Sequence, residues 1–153
     1  MTHSWESALV GSTLGAYRLE RPLGQGGFGY VFEAANKETG SSFAMKVLSP
    51  TKGNDAGALI DFDNEATLLG KLNPCSSVIN LVESGTEDVF VTLAGGADVP
   101  ISLKYHVLTL ASGSLDELLI SPEDRHQLAW TERLRLWRGA VKGVHQMHLK
   151  SVA

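Results

Sequence analysis

The stretch that decides the fold reads Leu23-Gly24-Gln25-Gly26-Gly27-Phe28-Gly29-Tyr30-Val31-Phe32, a glycine-rich loop between two segments of strand composition. Glycines at positions 24, 26 and 29 carry no Cβ, so the backbone can approach a ligand closely and can reach positive φ without steric cost. A chain that wraps phosphate needs this property. The Gly-x-Gly-x-x-Gly spacing also occurs in plain turns, so the residues after the loop decide between the two interpretations.

Three kinds of glycine-rich loop bind phosphate, and they differ in the element that comes after the last glycine. A dinucleotide-binding loop opens a helix there, but residues 30–34 have the β-branched and aromatic composition of a strand. A P-loop ends in Gly-Lys-Ser/Thr, whereas Gly29 precedes Tyr30. The third kind is a strand-loop-strand hairpin laid over a nucleotide, with a valine two residues past the last glycine. Val31 occupies that position.

Length and composition are those of about one ordinary globular domain. Of the 153 residues, 43% are hydrophobic and 20% are charged, which is enough apolar material for a buried core. A net charge of −4 argues against general nucleic-acid binding. The single cysteine, Cys75, rules out an internal disulfide and favours a reducing compartment, and no signal peptide or membrane span is apparent. We therefore expect a cytoplasmic protein that binds neither nucleic acid nor membrane.

The segments around the loop predict an antiparallel meander. Residues 1–15 are expected to form a loosely attached lead-in, and strands are expected over 17–23, 30–34 and 42–48. Residues 36–40, Asn-Lys-Glu-Thr-Gly, have the composition of the turn between the last two strands, with its glycine available for positive φ.

A helix and two further strands come next. The helix is predicted over 56–72 with Asp55 as its N-cap, because apolar residues recur there at helical spacing. These residues are Leu59, Phe62, Ala66 and Leu69. The fourth and fifth strands are predicted over 78–83 and 105–110. The insert over 86–103 is expected to form a small extra hairpin, to which we assign no function.

The last part of the chain is predicted to be helical. Residues 111–114 form a small-residue linker, a short helix is expected over 115–120 and a polar loop over 121–127. The final helix is expected to run from Thr131, as its N-cap, to about Leu149. Its apolar face consists of Leu134, Trp137, Val141, Val144 and His148. The histidines at 126, 145 and 148 lack a credible metal-ligand spacing, so we predict no metal site.

Lys46 lies within an otherwise apolar strand, 17 residues after Gly29. A lysine there is either a solvent-facing residue or a buried cation with a role. In a meander it lies beside the glycine loop, where its ammonium can reach phosphates that the loop covers. Glu65 flanks the apolar stripe of the helix and can point toward Lys46, although an exposed glutamate is usually only solvated. Such a pair contributes roughly 0–1 kcal/mol, so it would aim the lysine more than stabilise the fold.

With loop, lysine and helix glutamate in this order, the sequence from Tyr17 onward resembles the N-terminal lobe of a eukaryotic-type protein kinase. Residues 24–31 match the glycine-rich loop, and Phe43-Ala44-Met45-Lys46 matches the strand motif Val-Ala-Ile-Lys. The resemblance implies an α+β fold. A five-stranded antiparallel sheet with helix C would occupy 16–110, a hinge linker 111–114, and helices D and E of a partial C-lobe 115–153.

The resemblance also implies roles for individual residues. Lys46 would hold the α- and β-phosphates of ATP and pair with Glu65 on helix C. Leu23, Val31 and Ala44 would line the adenine pocket. Leu108 would be the gatekeeper, followed by the hinge backbone that meets adenine. The implied nucleotide-binding set is Leu23, Gly24, Gln25, Gly26, Gly27, Phe28, Gly29, Val31, Ala44, Lys46, Leu108, Thr109, Leu110 and Ala111.

The same resemblance shows what these 153 residues lack. Residues 143–153 resemble the end of helix E, after which the His-Arg-Asp catalytic loop would come. The sequence contains neither that loop nor an Asp-Phe-Gly motif, so the catalytic aspartate and the Mg²⁺ ligands of a kinase are missing. We therefore expect this truncated domain to bind ATP without transferring phosphate, Mg²⁺ being needed only in the complete kinase.

Two functional hypotheses remain open. In the first, the chain is the ATP-binding portion of a protein kinase that, when complete, transfers the ATP γ-phosphate to protein hydroxyls. Ser/Thr specificity is chosen over Tyr because it is the commoner class. In the second, the chain is a non-catalytic, pseudokinase-like nucleotide-binding or interaction module. Its uncovered face of helix E would then dock a protein partner.

Overall fold

The computed structural model describes residues 5–92, 96–115 and 128–152. The chain forms two compact units, the first comprising Met1–Thr67 with Leu81–Leu110 and the second Leu68–Asn80 with Ala111–Ala153. The short helix predicted over 115–120 lies, apart from Leu115, outside the described residues, and so does the polar loop over 121–127.

The first unit is built on one antiparallel sheet with the strand order β1-β2-β3-β4-β6-β5. The strands are β1 Thr13–Leu14, β2 Tyr17–Gln25, β3 Gly29–Asn36, β4 Ser42–Leu48, β5 Leu81–Thr92 and β6 Asp98–Thr109. Strands β2, β3 and β4 form the predicted meander, and β4 has the predicted bounds. Gly40 in the β3–β4 turn has a φ of +70°, as predicted. The α+β class is confirmed, with one strand more than the five predicted, because β1 pairs with β2.

Helix α2, Ala56–Leu72, has the predicted bounds. Its N-cap is also as predicted, because Asp55 Oδ1 accepts hydrogen bonds from the backbone N–H groups of Gly57 (3.0 Å) and Ala58 (3.2 Å). Phe62, which belongs to the predicted apolar stripe of this helix, is fully buried. The Asp55 cap therefore defines the first residue of helix α2, the helix that carries Glu65.

The inner face of the sheet carries the hydrophobic core of the first unit. Successive side chains of a strand point to opposite faces, so Met45 and Val47 of β4 lie in this core whereas Lys46 does not. The sheet curls until its ends meet, since Tyr17 Oη donates to Glu83 Oε2 at 3.2 Å across from β2 to β5. Burial, and after it the nearby Glu83 carboxylate, raises the pKa of Tyr17 above its ordinary value.

The N-terminal segment differs from the loosely attached lead-in that we expected. Helix α1 spans Trp5–Leu9, and Leu9 and Leu14 are both fully buried in the core. The backbone is also tied down, because Gly11 N–H donates to Leu19 O at 2.8 Å. The expectation is wrong because it considered the composition of this segment and not the unfilled end of the curled sheet, which these two leucines cover.

Replacing Leu9 with alanine is expected to lower the free energy of unfolding by about 2–5 kcal/mol, the range for truncating a fully buried leucine. Its neighbour Val10 is 40% exposed, so Val10→Ala is the matched control and should change stability by less than about 1 kcal/mol. Chemical denaturation of the three chains measures both values. Equal effects of the two substitutions would show that α1 is not part of the core.

The predicted fourth strand, fifth strand and extra hairpin are in fact one long hairpin. Strands β5 and β6 pair from Leu81↔Leu108 to Thr92↔Asp98, and residues 78–80 are not in a strand. The strands extend through the supposed insert because Val89 and Val91, two residues apart in β5, both point inward and are buried in the core. The insert is therefore part of the sheet, although residues 93–95 lie outside the described part.

The second unit contains the last helix, α3, which spans Trp130–Leu149. The predicted N-cap is wrong, because the helix already includes Trp130 and the capping position falls on Ala129. The helix packs closely on the loop before β5, since a Cβ on Gly143 would lie 2.9 Å from Ser77 O. The predicted apolar face is exposed among the described residues, with Trp137 at 67%. None of the described helices has the length and hydropathy required to cross a membrane.

Candidate nucleotide-binding site

The glycine-rich loop closes the β2–β3 hairpin and is anchored to the chain after β4. Gly26 N–H donates to Gly29 O at 2.8 Å, and Ser49 N–H donates to Phe28 O at 2.9 Å. Gly29 packs against the β4 backbone, because a Cβ there would clash with Val47 O and lie 3.0 Å from Leu48 Cα. The packing of the chain itself therefore explains why position 29 holds glycine.

Gly24, Gly26 and Gly27 have no such explanation within the protein. A Cβ on any of them would meet no protein atom within 4 Å. None of them has positive φ, so the loop does not use the left-handed conformation that glycine makes available. Because these three glycines lack side chains, the backbone of the loop is open to close approach from solvent.

Lys46 and Glu65 form an ion pair beside this loop. Lys46 Nζ on β4 donates to Glu65 Oε2 on α2. The Lys46 side chain is 18% exposed and that of Glu65 is 35% exposed, so the pair is partly shielded from water. Lys46 Nζ lies 6.0 Å from the centroid of the Phe28 ring, which places it under the tip of the loop. The lysine is thus held near the glycines and still reaches solvent.

Two residues assigned to the adenine pocket, Val31 and Ala44, and the predicted gatekeeper Leu108 lie on the same face of the sheet as Lys46. Val31 is the cross-strand partner of Lys46, and Ala44 is the partner of Leu108. Cross-strand partners point to the same face of an antiparallel sheet, and so do residues two apart in one strand. Val31, Ala44, Lys46 and Leu108 therefore form one surface, opposite the buried core.

The remaining predicted residues lie around the edge of this surface. Leu23 and Gln25 are exposed residues of β2, Thr109 ends β6 and Leu110 comes directly after it. Ala111 belongs to the second unit, so its place in the site stays a prediction. The structure thus brings together the loop, the ion pair and three of the apolar positions. The roles of these residues toward a nucleotide stay predictions.

Two side chains near Lys46 were missed by the sequence reasoning. Lys52, in the 3-10 turn Pro50–Lys52, places its Nζ 5.3 Å from the centroid of the Phe28 ring. That distance is typical of a cation–π contact. His106 is the cross-strand partner of Lys46 on β6. A signal for it was present, because it lies two residues before Leu108 and so shares the face of that residue.

Metal-binding groups are not evident in the part of the chain that the structure describes. Within residues 5–92, 96–115 and 128–152, no three His, Cys, Asp or Glu side chains are grouped as metal ligands would be. The groups that the structure places around the loop are backbone N–H groups, the paired Lys46, the nearby Lys52 and an apolar surface. This combination suits a ligand with an anionic part and a flat apolar part.

Comparison with known proteins agrees with this geometry. The protein kinase domain family matches residues 17–153. Among similar proteins of Arabidopsis thaliana, cysteine-rich receptor-like protein kinase 18 is 33% identical over 129 residues, covering 84% of this chain and 17% of that protein. A G-type lectin S-receptor-like serine/threonine-protein kinase is 31% identical over 129 residues, covering 84% of this chain and 14% of that protein.

The chain spans less than a fifth of the length of these relatives, 17% of one and 14% of the other. The segment that is matched includes the glycine-rich loop, the strand that carries Lys46 and helix α2. Because the family match covers all but the first 16 residues of the 153, the chain belongs to the protein kinase family.

Proposed function

We propose that this chain is the ATP-binding portion of a Ser/Thr protein kinase. The observation that carries the proposal is the Lys46–Glu65 ion pair beside a loop whose three outer glycines border open space. Ser/Thr specificity is supported by the relatives that are named serine/threonine kinases. The proposed ligands are ATP and, for the whole kinase, a protein substrate in the cytoplasm.

Each group has a definite part in this proposal. An ammonium has three N–H donors. Lys46 uses one of them on Glu65, so two are available for phosphate oxygens. The backbone N–H groups around Gly26 and Gly27 would add donors from the loop above. Because Glu65 fixes the lysine before ATP arrives, less side-chain entropy is lost on binding.

The apolar surface formed by Val31, Ala44 and Leu108 would take the adenine ring. Ala44 leaves room beside Lys46 that a larger side chain would fill, and Val31 lies across from the lysine on β3. Bound ATP would supply the phosphoryl group for transfer. The residues present here would bind and orient ATP. They would not complete the transfer, since His-Arg-Asp and Asp-Phe-Gly motifs do not occur in the 153 residues.

The purified chain is expected to bind ATP and to transfer no phosphate. Titration with a fluorescent ATP analogue measures the binding, and γ-labelled Mg-ATP with Ser/Thr and Tyr peptides measures the transfer. Analogue binding that unlabelled ATP displaces, with no labelled peptide, is the expected result. Labelled peptide would contradict the proposed inactivity, and no binding at millimolar analogue would contradict the proposed ATP site.

A second candidate function is a non-catalytic module that binds a protein partner. The observation that favours it is the exposed apolar face of α3, where Trp130, Leu134 and Trp137 line an open groove. The coding sequence after Ala153 separates the two candidates. A His-Arg-Asp loop encoded there favours the kinase portion, and a stop codon favours the module.

A further inference from the structure

His106 is a buried titratable residue that the proposed nucleotide site does not use. It is 3% exposed, lies on β6 and is the cross-strand partner of Lys46. A fully buried ionisable group loses its hydration, and this loss costs free energy unless hydrogen bonds within the protein compensate for it. The contacts of this side chain therefore need an explanation beyond packing.

The imidazole contacts helix α2 one turn before Glu65. Its Nε2 lies 2.9 Å from Phe62 O. The two rings stack with centroids 3.9 Å apart and planes inclined by 20°. Phe62 and Glu65 are three residues apart, so they lie on the same side of the helix. His106 therefore contacts the turn of α2 that precedes Glu65.

The hydrogen bond requires a proton on Nε2 of the imidazole. Phe62 O is an acceptor, so Nε2 carries the proton and Nδ1 is unprotonated in the neutral ring. Nδ1 is buried and has no hydrogen-bond partner among the described residues. In the imidazolium, a charge would be buried beside Lys46. Burial therefore favours the neutral form at this site.

The charged groups around His106 do not remove this preference. From β4 it faces Lys46, from α2 Glu65 and Asp63, and on its own strand Lys104, which pairs with Asp63 at 2.6 Å. On β5 it faces the uncharged Ser84. Burial lowers the pKa of His106 below its ordinary value of 6.5, more than the Phe62 backbone, Glu65 and the Tyr105 backbone together raise it. Lys46 also lowers this pKa.

We propose that His106 is a positioning residue whose neutral form tethers helix α2 so that Glu65 meets Lys46, and whose protonation releases this tether. The direction follows from linkage. The released histidine binds a proton more readily than the docked one, so the docked helix is favoured above pH 6.5 and loses stability as the pH falls below that value. The tether is a property of the protein alone, while its consequence for ATP rests on the proposed function.

The test is amide hydrogen exchange of α2 in the nucleotide-free chain at pH 7.5 and 5.5, corrected for intrinsic exchange rates. At pH 5.5 the α2 amides of the native chain should exchange about three- to tenfold faster than at pH 7.5, as expected for loss of one hydrogen bond. His106→Gln keeps a donor in the place of Nε2 without titrating, so its α2 exchange should not change with pH. His106→Leu lacks the donor and should exchange faster at both values.

His145→Gln is the matched control, because His145 is exposed on α3 and this substitution should keep the pH response of the native chain. An identical pH response in His106→Gln would overturn the proposal, and so would native-like protection of α2 in His106→Leu. A second measurement needs no variant. Imidazole nitrogen shifts of the native chain should report an Nε2–H ring that titrates below pH 6.5, and an Nδ1–H ring would overturn the proposal.

ATP-analogue titration at the same two pH values connects the tether to the proposed site. Between pH 7.5 and 5.5, the affinity of the native chain for the ATP analogue should fall more than the affinity of His106→Gln. The change measured for His106→Gln reports protonation of the nucleotide. The failures are distinguishable, because an α2 that responds to pH in a chain without ATP affinity would refute the proposed function alone. An α2 that does not respond in a chain that binds ATP would refute the tether alone.

Discussion

Lys46→Met is expected to weaken ATP binding by about 10- to 100-fold, the effect of removing a charge-assisted hydrogen bond of about 1.5–3 kcal/mol. Methionine keeps much of the length and apolar stem of lysine but cannot donate to phosphate. Because the residue is paired with Glu65 and lies under the loop tip, no other described lysine is placed to replace it in both contacts. Fluorescent ATP-analogue titration measures the change.

The matched control is Lys37→Met. Lys37 is an exposed residue of the β3–β4 turn, so this substitution removes the same formal charge at a position outside the proposed site. Its ATP affinity should stay within about twofold of the native value. Glu65→Gln should cost less than Lys46→Met, about three- to fivefold, because the partly exposed pair orients the lysine and the amide keeps an acceptor. Equal affinities of Lys46→Met and Lys37→Met would contradict the assignment of Lys46.

Gly29→Ala and Gly26→Ala are expected to fail in different ways. A Cβ at position 29 would lie 2.8 Å from Ser49 N and 3.0 Å from Leu48 Cα, and neither backbone atom can rotate away. We expect Gly29→Ala to lower the free energy of unfolding by about 2–3 kcal/mol, the upper range for forced overpacking. Denaturant unfolding measures this loss.

At position 26 the same methyl group meets no protein atom within 4 Å and no positive φ is required. Gly26→Ala should therefore keep the stability of the native chain within about 0.5 kcal/mol, while its methyl group narrows the space reserved for phosphate. Its ATP affinity should fall, although the fold is unchanged. Loss of stability in Gly26→Ala, or none in Gly29→Ala, would show that the loop is packed differently.

Much of this fold was predictable because the local signals were strong. Helix α2 has the bounds that its apolar spacing and the Asp55 cap predicted, and β4 ends where Pro50 forces an end. The proximity of the glycine loop and Lys46 was predictable for a related reason. The spacing of Gly29 and Lys46 on neighbouring strands places them together in any antiparallel meander, as the structure shows for β3 and β4.

The errors came from contacts distant in sequence. Leu9 and Leu14 are buried because the curled sheet leaves an open end, which a local pattern does not reveal. The insert over 86–103 belongs to the β5–β6 hairpin because Val89 and Val91 face that same core. The face of the sheet on which His106 lies could have been read from Leu108, but its contact with the carbonyl of Phe62, 44 residues away, could not. Such contacts depend on tertiary packing more than on propensity.

The measurement that tests the central claim most directly is an ATP titration of the ¹⁵N-labelled chain followed by two-dimensional NMR. If the loop and the ion pair form one nucleotide site, saturable shifts should appear together at the amides of residues 24–29 and at Lys46. The same shifts should be absent from the Lys46→Met chain at equal ATP concentration. Shifts confined to another part of the chain, or an unchanged spectrum at millimolar ATP, would contradict the account.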